Sequence, residues 1–156
     1  MITMQSFFSA FLHNKIFWFS FTGWAAGQGS KVILGILTKR RFDFRWVIGT
    51  GGMPSSHASG VSALVTAVGA KEGWASTFFA IAFVLAFITM FDAQGVRRAA
   101  GRQAAVLNKI VDELYLHGRV SEKKLWELLG HTPIEVFVGF VLGVITAILC
   151  INKWGI

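Results

Sequence analysis

Long apolar runs constrain this chain more than any other feature of its sequence. A helix needs about 20 mostly apolar residues to cross a bilayer, and such runs occur at residues 16–37, 74–91 and 132–151. A shorter run at residues 54–70 is built from small residues, as are helices that pack closely against other helices. We therefore predict an all-α fold, a polytopic membrane helical bundle with about four spans.

Two segments lie outside the predicted spans. Residues 1–15 are Phe-rich and amphipathic, and they show no cleavage site of a secretory signal. Residues 93–130 form a polar insertion whose apolar positions recur at helical spacing. This spacing predicts an amphipathic helix that ends near Gly118 and a short helix that Ser121 caps. We assign residues 1–156 to a single integral membrane domain.

The net charge of +7 is concentrated in two segments, residues 39–45 and 97–124, which flank apolar runs. Positive loops beside spans mark the cytoplasmic side of a membrane protein, and they also attract anionic lipid headgroups. A nucleic-acid-binding protein would instead carry a basic face on a soluble module. We therefore expect membrane lipids and no nucleic acid as partners, and the sequence leaves an oligomer possible. The expected location is a bacterial cytoplasmic membrane.

Alternation of the spans brings polar residues from distant parts of the chain to one membrane face. His57 begins one helix, Asp92 ends the next, and His131 and Glu135 begin the last. Lys31 lies inside the first span, about two turns from its cytoplasmic end. Because an ionisable residue within a span is costly, it tends to be functional. We therefore predict a site for an anion at the cytoplasmic face.

The segment Pro54-Ser55-Ser56-His57 has the composition of a phosphate site. A helix N-terminus presents N–H groups that suit a phosphate, Ser55 and Ser56 add hydroxyl donors, and His57 is placed to donate a proton. A serine at this place also commonly does no more than cap the helix. The two serines alone favour capping, whereas His57 beside them favours a phosphate site.

His131 and Glu135 lie four residues apart at the predicted start of the last helix. Thr132, Pro133 and Glu135 fit an N-cap, a proline at the first helical position and a capping-box glutamate. The Glu135 carboxylate can also orient the His131 imidazole. A histidine held in this way is more basic and presents its other nitrogen for attack. The capping and orienting roles of Glu135 both remain open.

Asp92 precedes the paired arginines Arg97 and Arg98 by about one and a half helical turns. A carboxylate in this position can fix one guanidinium while the other faces an anion. The arginines can also serve only as anchors for lipid headgroups, and this is the interpretation that we favour for Arg102.

Together these segments resemble the type 2 phosphatidic acid phosphatase superfamily, which includes the vanadium haloperoxidases. More closely, residues 51–57, 92–98 and 130–135 look like its small divergent bacterial and plastid branch. The resemblance covers roughly residues 28–143 and implies a site without a metal cofactor. It also implies roles for single residues: phosphate binding for Lys31, Ser55 and Ser56, general acid for His57, nucleophile for His131, and orientation of that nucleophile for Glu135.

The chain departs from the superfamily pattern in four places. Ser56 stands where the motif has Gly, and Glu135 where it has Asp. The arginine normally six residues before the second histidine is replaced by Leu125. Arg97 and Arg98 are spaced from the first motif much as that arginine would be, so we assign them to phosphate binding and treat the third motif as split by the insertion. The usual spacing from the lysine to an Arg-Pro pair is also absent, so Arg40 and Arg41 are only candidate substitutes for the upstream arginine of the family.

The expected activity is that of a membrane lipid phosphatase that forms a phosphohistidine intermediate. Because the site faces the cytoplasm, a lipid phosphomonoester made there, such as phosphatidylglycerophosphate or phosphatidate, is the expected substrate. Two alternatives from other classes remain. One is a membrane protein that binds or translocates a lipid phosphate without turnover. The other is a structural membrane protein whose polar residues only hold helices together.

Overall fold

A computed structural model describes residues 3–48, 52–115 and 130–156, without the side chains of residues 45, 48, 96–98, 102 and 112–115. Every regular element in these ranges is a helix, which confirms the all-α prediction. The helices are α1 (Met4–Leu12), α2 (Lys15–Lys39), α3 (Arg45–Ile48), α4 (Ser56–Glu72), α5 (Thr77–Gln94), α6 (Val96–Tyr115) and α7 (Pro133–Trp154).

Helices α2, α4, α5 and α7 coincide with the four predicted runs. Two stretches of the described residues are long and apolar enough to cross a membrane: Thr77–Val111, which contains α5, and Pro133–Trp154, which is α7. Helix α2 has 25 residues but carries Gln28 and Lys31 in its interior, and α4 has 17 residues rich in Ser, Gly and Ala. Spans by α2 and α4 therefore remain a prediction.

Helix α4 lies at the centre of the bundle, with α2, α5 and α7 packed around it. On α2, a Cβ added at Gly23 would lie 2.5 Å from the Cβ of Ala63 on α4. On α7, a Cβ at Gly139 or Gly143 would collide with backbone carbonyls of α4. Small residues thus let the helix backbones approach closely. This is the packing that the small-residue run at 54–70 predicts.

Serine hydroxyls of α4 satisfy the polar groups at these close contacts. The Ser59 hydroxyl donates a hydrogen bond to the Gly23 carbonyl on α2 at 2.6 Å. The Ser62 hydroxyl donates to the Phe140 carbonyl on α7 at 3.0 Å. Because buried hydroxyls are costly without partners, these bonds explain how a helix with so many serines occupies the interior.

The polar insertion begins with α6 directly after α5, which confirms a helix over residues 96–115. Its apolar residues Val106, Leu107 and Ile110 are exposed, whereas Asn108 is buried. A helix with this exposure can lie on a membrane surface with its apolar face in the lipid. The predicted end at Gly118 and the helix capped by Ser121 lie outside the described residues.

Candidate functional site

Three helix ends meet at one end of the bundle. Ala58 of α4, Ala93 of α5 and Val136 of α7 form a cluster in which each residue is at most 3% exposed. Each of the three directly follows a predicted site residue in the sequence. Packing of the cluster therefore brings together the residues that precede its members, which are His57, Asp92 and Glu135.

Two backbone hydrogen bonds fix the chain at the start of α7. The His131 N–H donates to the Ala93 carbonyl at 3.1 Å, which ties His131 to the end of α5. The Ser55 N–H donates to the Glu135 carbonyl at 2.9 Å, which ties the first turn of α7 to the start of α4. The segment that carries His131 is thus held from both neighbouring helices.

The two predicted catalytic histidines face each other across this end of the bundle. The ring centres of His57 and His131 are 6.3 Å apart, and the rings are inclined by 59°. His131 is 2% exposed, and His57 is half-buried. The two rings are therefore close enough to act on the same substrate group at this end of the bundle.

One oxygen of Glu135 performs both of the roles that the sequence leaves open. Glu135 Oε2 accepts a hydrogen bond from His131 Nδ1 at 3.1 Å and another from the Thr132 N–H at 3.0 Å. The Thr132 hydroxyl accepts from the Glu135 N–H at 3.4 Å, which completes a capping box. Because a carboxylate only accepts, this contact places a proton on His131 Nδ1, and in the neutral imidazole the lone pair then lies on Nε2.

Lys31 is buried within electrostatic range of Glu135, the residue that holds His131. The Lys31 ammonium donates a hydrogen bond to Gln28 Oε1 at 3.1 Å, and the Glu135 carboxylate attracts it electrostatically. Its aliphatic stem lies against Gly52, where an added Cβ would be 3.7 Å from Lys31 Cγ and Cδ. Gly52 has φ +81°, a conformation that favours glycine. The structure thus brings the predicted phosphate lysine to the His131–Glu135 pair.

Gln28 positions Lys31, a role that we did not assign to it from the sequence. The Gln28 amide nitrogen donates to the carbonyls of Trp46 at 2.9 Å and Val47 at 2.8 Å, while its oxygen accepts from Lys31. Gln28 therefore connects the segment containing α3 to the buried ammonium. Its spacing of three residues from Lys31 on one helix face is a signal that could have identified it.

The two serines before His57 are buried, at 0% and 3% exposure. The Ser55 hydroxyl accepts a hydrogen bond from the Ala58 N–H at 3.4 Å and so caps α4. Ser56 packs against α2 where a Cβ at Gly27 would lie 2.9 Å from the Ser56 Cα. The Ser55 hydroxyl accepts at this cap and therefore keeps its proton for donation to another group. Capping is thus compatible with phosphate binding by Ser55, and phosphate binding by Ser55 and Ser56 stays a prediction.

The remaining predicted residues differ in their distance along the chain from the helix ends that form the site. Asp92 is half-buried in the last turn of α5. Arg97 and Arg98 lie in the first turn of α6, directly after that turn, and their side chains are outside the described part of the chain. Their phosphate contacts therefore remain predictions. Arg40 and Arg41 are exposed at the C-terminal end of α2.

Comparison with known proteins gives two matches. The family described as "Divergent PAP2 family" matches residues 12–146, a range that contains every candidate site residue. The protein named "Uncharacterized membrane protein YuiD" from Bacillus subtilis (strain 168) is 44% identical over 133 residues, which cover 78% of this chain and 84% of the relative. No solved structure matches the chain.

Proposed function

The chain belongs to the divergent PAP2 family, and we propose that it is a membrane lipid phosphatase that hydrolyses a phosphomonoester without a metal. The observation that carries this proposal is the pair His57–His131, with ring centres 6.3 Å apart and His131 Nδ1 held by Glu135. An acid and a nucleophile on opposite sides of one small space suit phosphoryl transfer.

In the first step, His131 Nε2 attacks phosphorus while His57 protonates the oxygen that leaves. The N–P bond forms as the P–O bond to the lipid alcohol breaks, and the alcohol departs with the proton of His57. The imidazole of His131 gains positive charge in this step, and the Glu135 carboxylate stabilises that charge. Lys31, with Arg97 and Arg98, offsets the negative charge on the phosphoryl oxygens.

In the second step, water attacks the phosphohistidine. His57, now neutral, takes a proton from the water while the N–P bond breaks and inorganic phosphate leaves. The proton returns His57 to its starting state, and His131 again has its lone pair on Nε2. Binding both reactants in fixed positions supplies much of the rate enhancement in such a reaction.

A lipid substrate fits the surroundings of the site better than a soluble one. The chain is a PAP2-related membrane protein, and the outer faces of α5 and α7 carry large exposed apolar side chains. A headgroup at the membrane surface reaches a site at the helix ends without leaving the bilayer. With the basic segments on the cytoplasmic side, phosphatidylglycerophosphate and phosphatidate are the proposed substrates.

Phosphate release from a detergent-solubilised lipid phosphate tests the proposal. His131→Ala should abolish release from every substrate, because the nucleophile cannot be bypassed. His57→Ala should lose about 10²–10⁴-fold on a lipid phosphate, whose leaving oxygen is basic. The same variant should keep much of its activity on an aryl phosphate with an acidic phenol.

Absence of release by the wild-type protein across a panel of lipid phosphates would refute the phosphatase. Stabilisation of that inactive protein by inorganic phosphate would then identify a lipid-phosphate-binding protein. Equal losses for His57→Ala on lipid and aryl phosphates would refute the assignment of His57 as general acid.

A further inference from the structure

Two lateral openings flank α5 in the bundle. On one side, α2 and α5 both pack on α4, and residues of both helices border a cavity between them. On the other side α5 diverges from α7, which leaves an apolar cavity of about 530 Å³ bordered by Val144. A hydrocarbon chain bound to a substrate in the site could leave the bundle through either opening.

The cavity between α2 and α5 includes a residue of the site itself. It has a volume of about 280 Å³ and is bordered by His57, Gly60 and Val61 of α4 and by Thr89 of α5. Neither histidine of the site borders the two described cavities between α5 and α7. The α2–α5 cavity thus lies directly beside His57, whereas the two cavities between α5 and α7 border neither histidine.

Aromatic residues form the α2 wall of this cavity. Phe17, Phe21 and Trp24 recur at helical spacing on one face of α2. The rings of Phe17 and Phe21 are stacked at 6.4 Å, and those of Phe21 and Trp24 at 5.6 Å. The three residues span eight positions, so the first and last lie about 10 Å apart along the helix axis. The wall extends away from the site towards the opposite end of the bundle, as a hydrocarbon chain in a membrane would.

The direction of the proposed reaction selects between the openings. In phosphoryl transfer the attacking and leaving atoms lie roughly in line on opposite sides of phosphorus. With His131 attacking, the leaving oxygen must lie on the side of His57, which protonates it. In phosphatidate, the glycerol that carries the acyl chains is attached to that oxygen, so this part of the lipid begins at His57.

From these observations we infer that the cavity between α2 and α5 binds the glycerol backbone and the first part of an acyl chain of the lipid phosphate. This inference rests on the proposed function, because the in-line argument assigns the leaving group to His57. The occupant is the hydrophobic part of the substrate, with the phosphate held between the histidines.

A matched pair of substitutions tests the assignment. Val61→Trp fills the α2–α5 cavity, and Val144→Trp makes the same change in the cavity between α5 and α7. For each variant, kcat/KM is measured on a long-chain phosphatidate and on a water-soluble aryl phosphate. Val61→Trp should lower the lipid-to-aryl ratio at least about ten-fold, a loss typical of a hydrophobic pocket that no longer fits its substrate. Val144→Trp should leave the ratio within about two-fold.

A lower ratio for Val144→Trp alone would overturn the inference in favour of the other opening. An unchanged ratio for both variants would overturn it as well. Thermal unfolding in detergent identifies a variant that fails to fold. In that case, photo-crosslinking of the wild-type protein tests whether the α2–α5 cavity binds the lipid.

Photo-crosslinking of the wild-type protein uses a phosphatidate with a diazirine near the start of one acyl chain. The label should map to Phe21, Trp24 or Thr89, and unlabelled phosphatidate should compete for it while phosphatidylcholine should not. Labelling of the α5–α7 cavity, or equal competition by phosphatidylcholine, would contradict the inference. If the protein binds but does not hydrolyse the lipid, the phosphatase proposal fails, and competed labelling at these three residues still supports the cavity.

Discussion

Glu135 allows the chemistry of the site to be separated from the stability of its helix. One carboxylate oxygen accepts from His131 Nδ1 at 3.1 Å and from the Thr132 N–H at 3.0 Å. Glu135→Gln keeps an acceptor oxygen for the capping box, since glutamine also serves at this position, but it removes the charge. Thr132→Ala does the reverse, because it removes the hydroxyl that caps α7 and leaves the carboxylate in place.

The size of each effect follows from these contacts. A hydrogen bond to a charged group contributes about 1.5–3 kcal/mol and a neutral one about 0.5–1.5 kcal/mol. The difference, about 1–1.5 kcal/mol, predicts a loss of about ten-fold in kcat for Glu135→Gln. Loss of the Thr132 cap should cost about 1 kcal/mol of stability, which corresponds to a lower unfolding midpoint by about 2–4 °C in a protein of this length.

The assay combines phosphate release with thermal unfolding of the same detergent-solubilised preparations. Glu135→Gln should lose activity and keep its unfolding midpoint, whereas Thr132→Ala should lower the midpoint and keep most activity. If Glu135→Gln retained full activity, its carboxylate would have no role in stabilising charge on His131. Parallel losses of activity and stability in both variants would show that the two roles cannot be separated.

The remaining predictions concern the buried cation, the helix contacts and the orientation in the membrane. Lys31→Ala should lower kcat/KM by about 10–100-fold through loss of a charged contact to phosphate. Lys39, an exposed lysine on the same helix as Lys31, lies over the Trp46 ring, and Lys39→Ala should have little effect. Similar losses of kcat/KM in both variants would contradict the assignment of Lys31 to the site. Gly139→Ala should destabilise the protein by about 1–3 kcal/mol because the new Cβ collides with the α4 backbone. Gly29→Ala, with nothing within 4 Å of the new Cβ, should be neutral or stabilise the protein by up to about 1 kcal/mol, and an equal loss of stability in both would refute the packing argument. A cysteine in place of Glu72 should react with an impermeant thiol reagent in intact cells, and reaction only after the membrane is opened would reverse the proposed orientation.

Local sequence patterns predicted the helices of the bundle well because α2, α4, α5 and α7 each begin at a side-chain cap. The run at residues 74–91 became α5, which begins after the cap Ser76 and ends at Gly95. The capping box at Thr132 and Glu135 sets the start of α7 as expected. The family relation predicted from three short motifs is also confirmed. Four spans remain a prediction, since only two stretches of the described residues have the required length and hydropathy.

Long-range features of the site were predictable only in part. Alternation of the helices placed His57 and His131 at one end, but their separation depends on how Ala58, Ala93 and Val136 pack. The hydrogen bonds from Gln28 to the carbonyls after α2 depend on the path of an irregular segment. No pattern of spacing encodes such a path, so the sequence could indicate the contact of Gln28 with Lys31 but not its bonds to Trp46 and Val47.

The central claim is that His131 becomes phosphorylated during turnover. The most direct measurement is an alkaline quench of the protein during hydrolysis of a lipid labelled with ³²P in its phosphomonoester, followed by peptide mapping. We expect an acid-labile phosphate on His131 in the wild-type protein and no labelled protein in His131→Ala. A phosphoenzyme that persists in His131→Ala, or that maps to another residue of the wild-type protein, would contradict it.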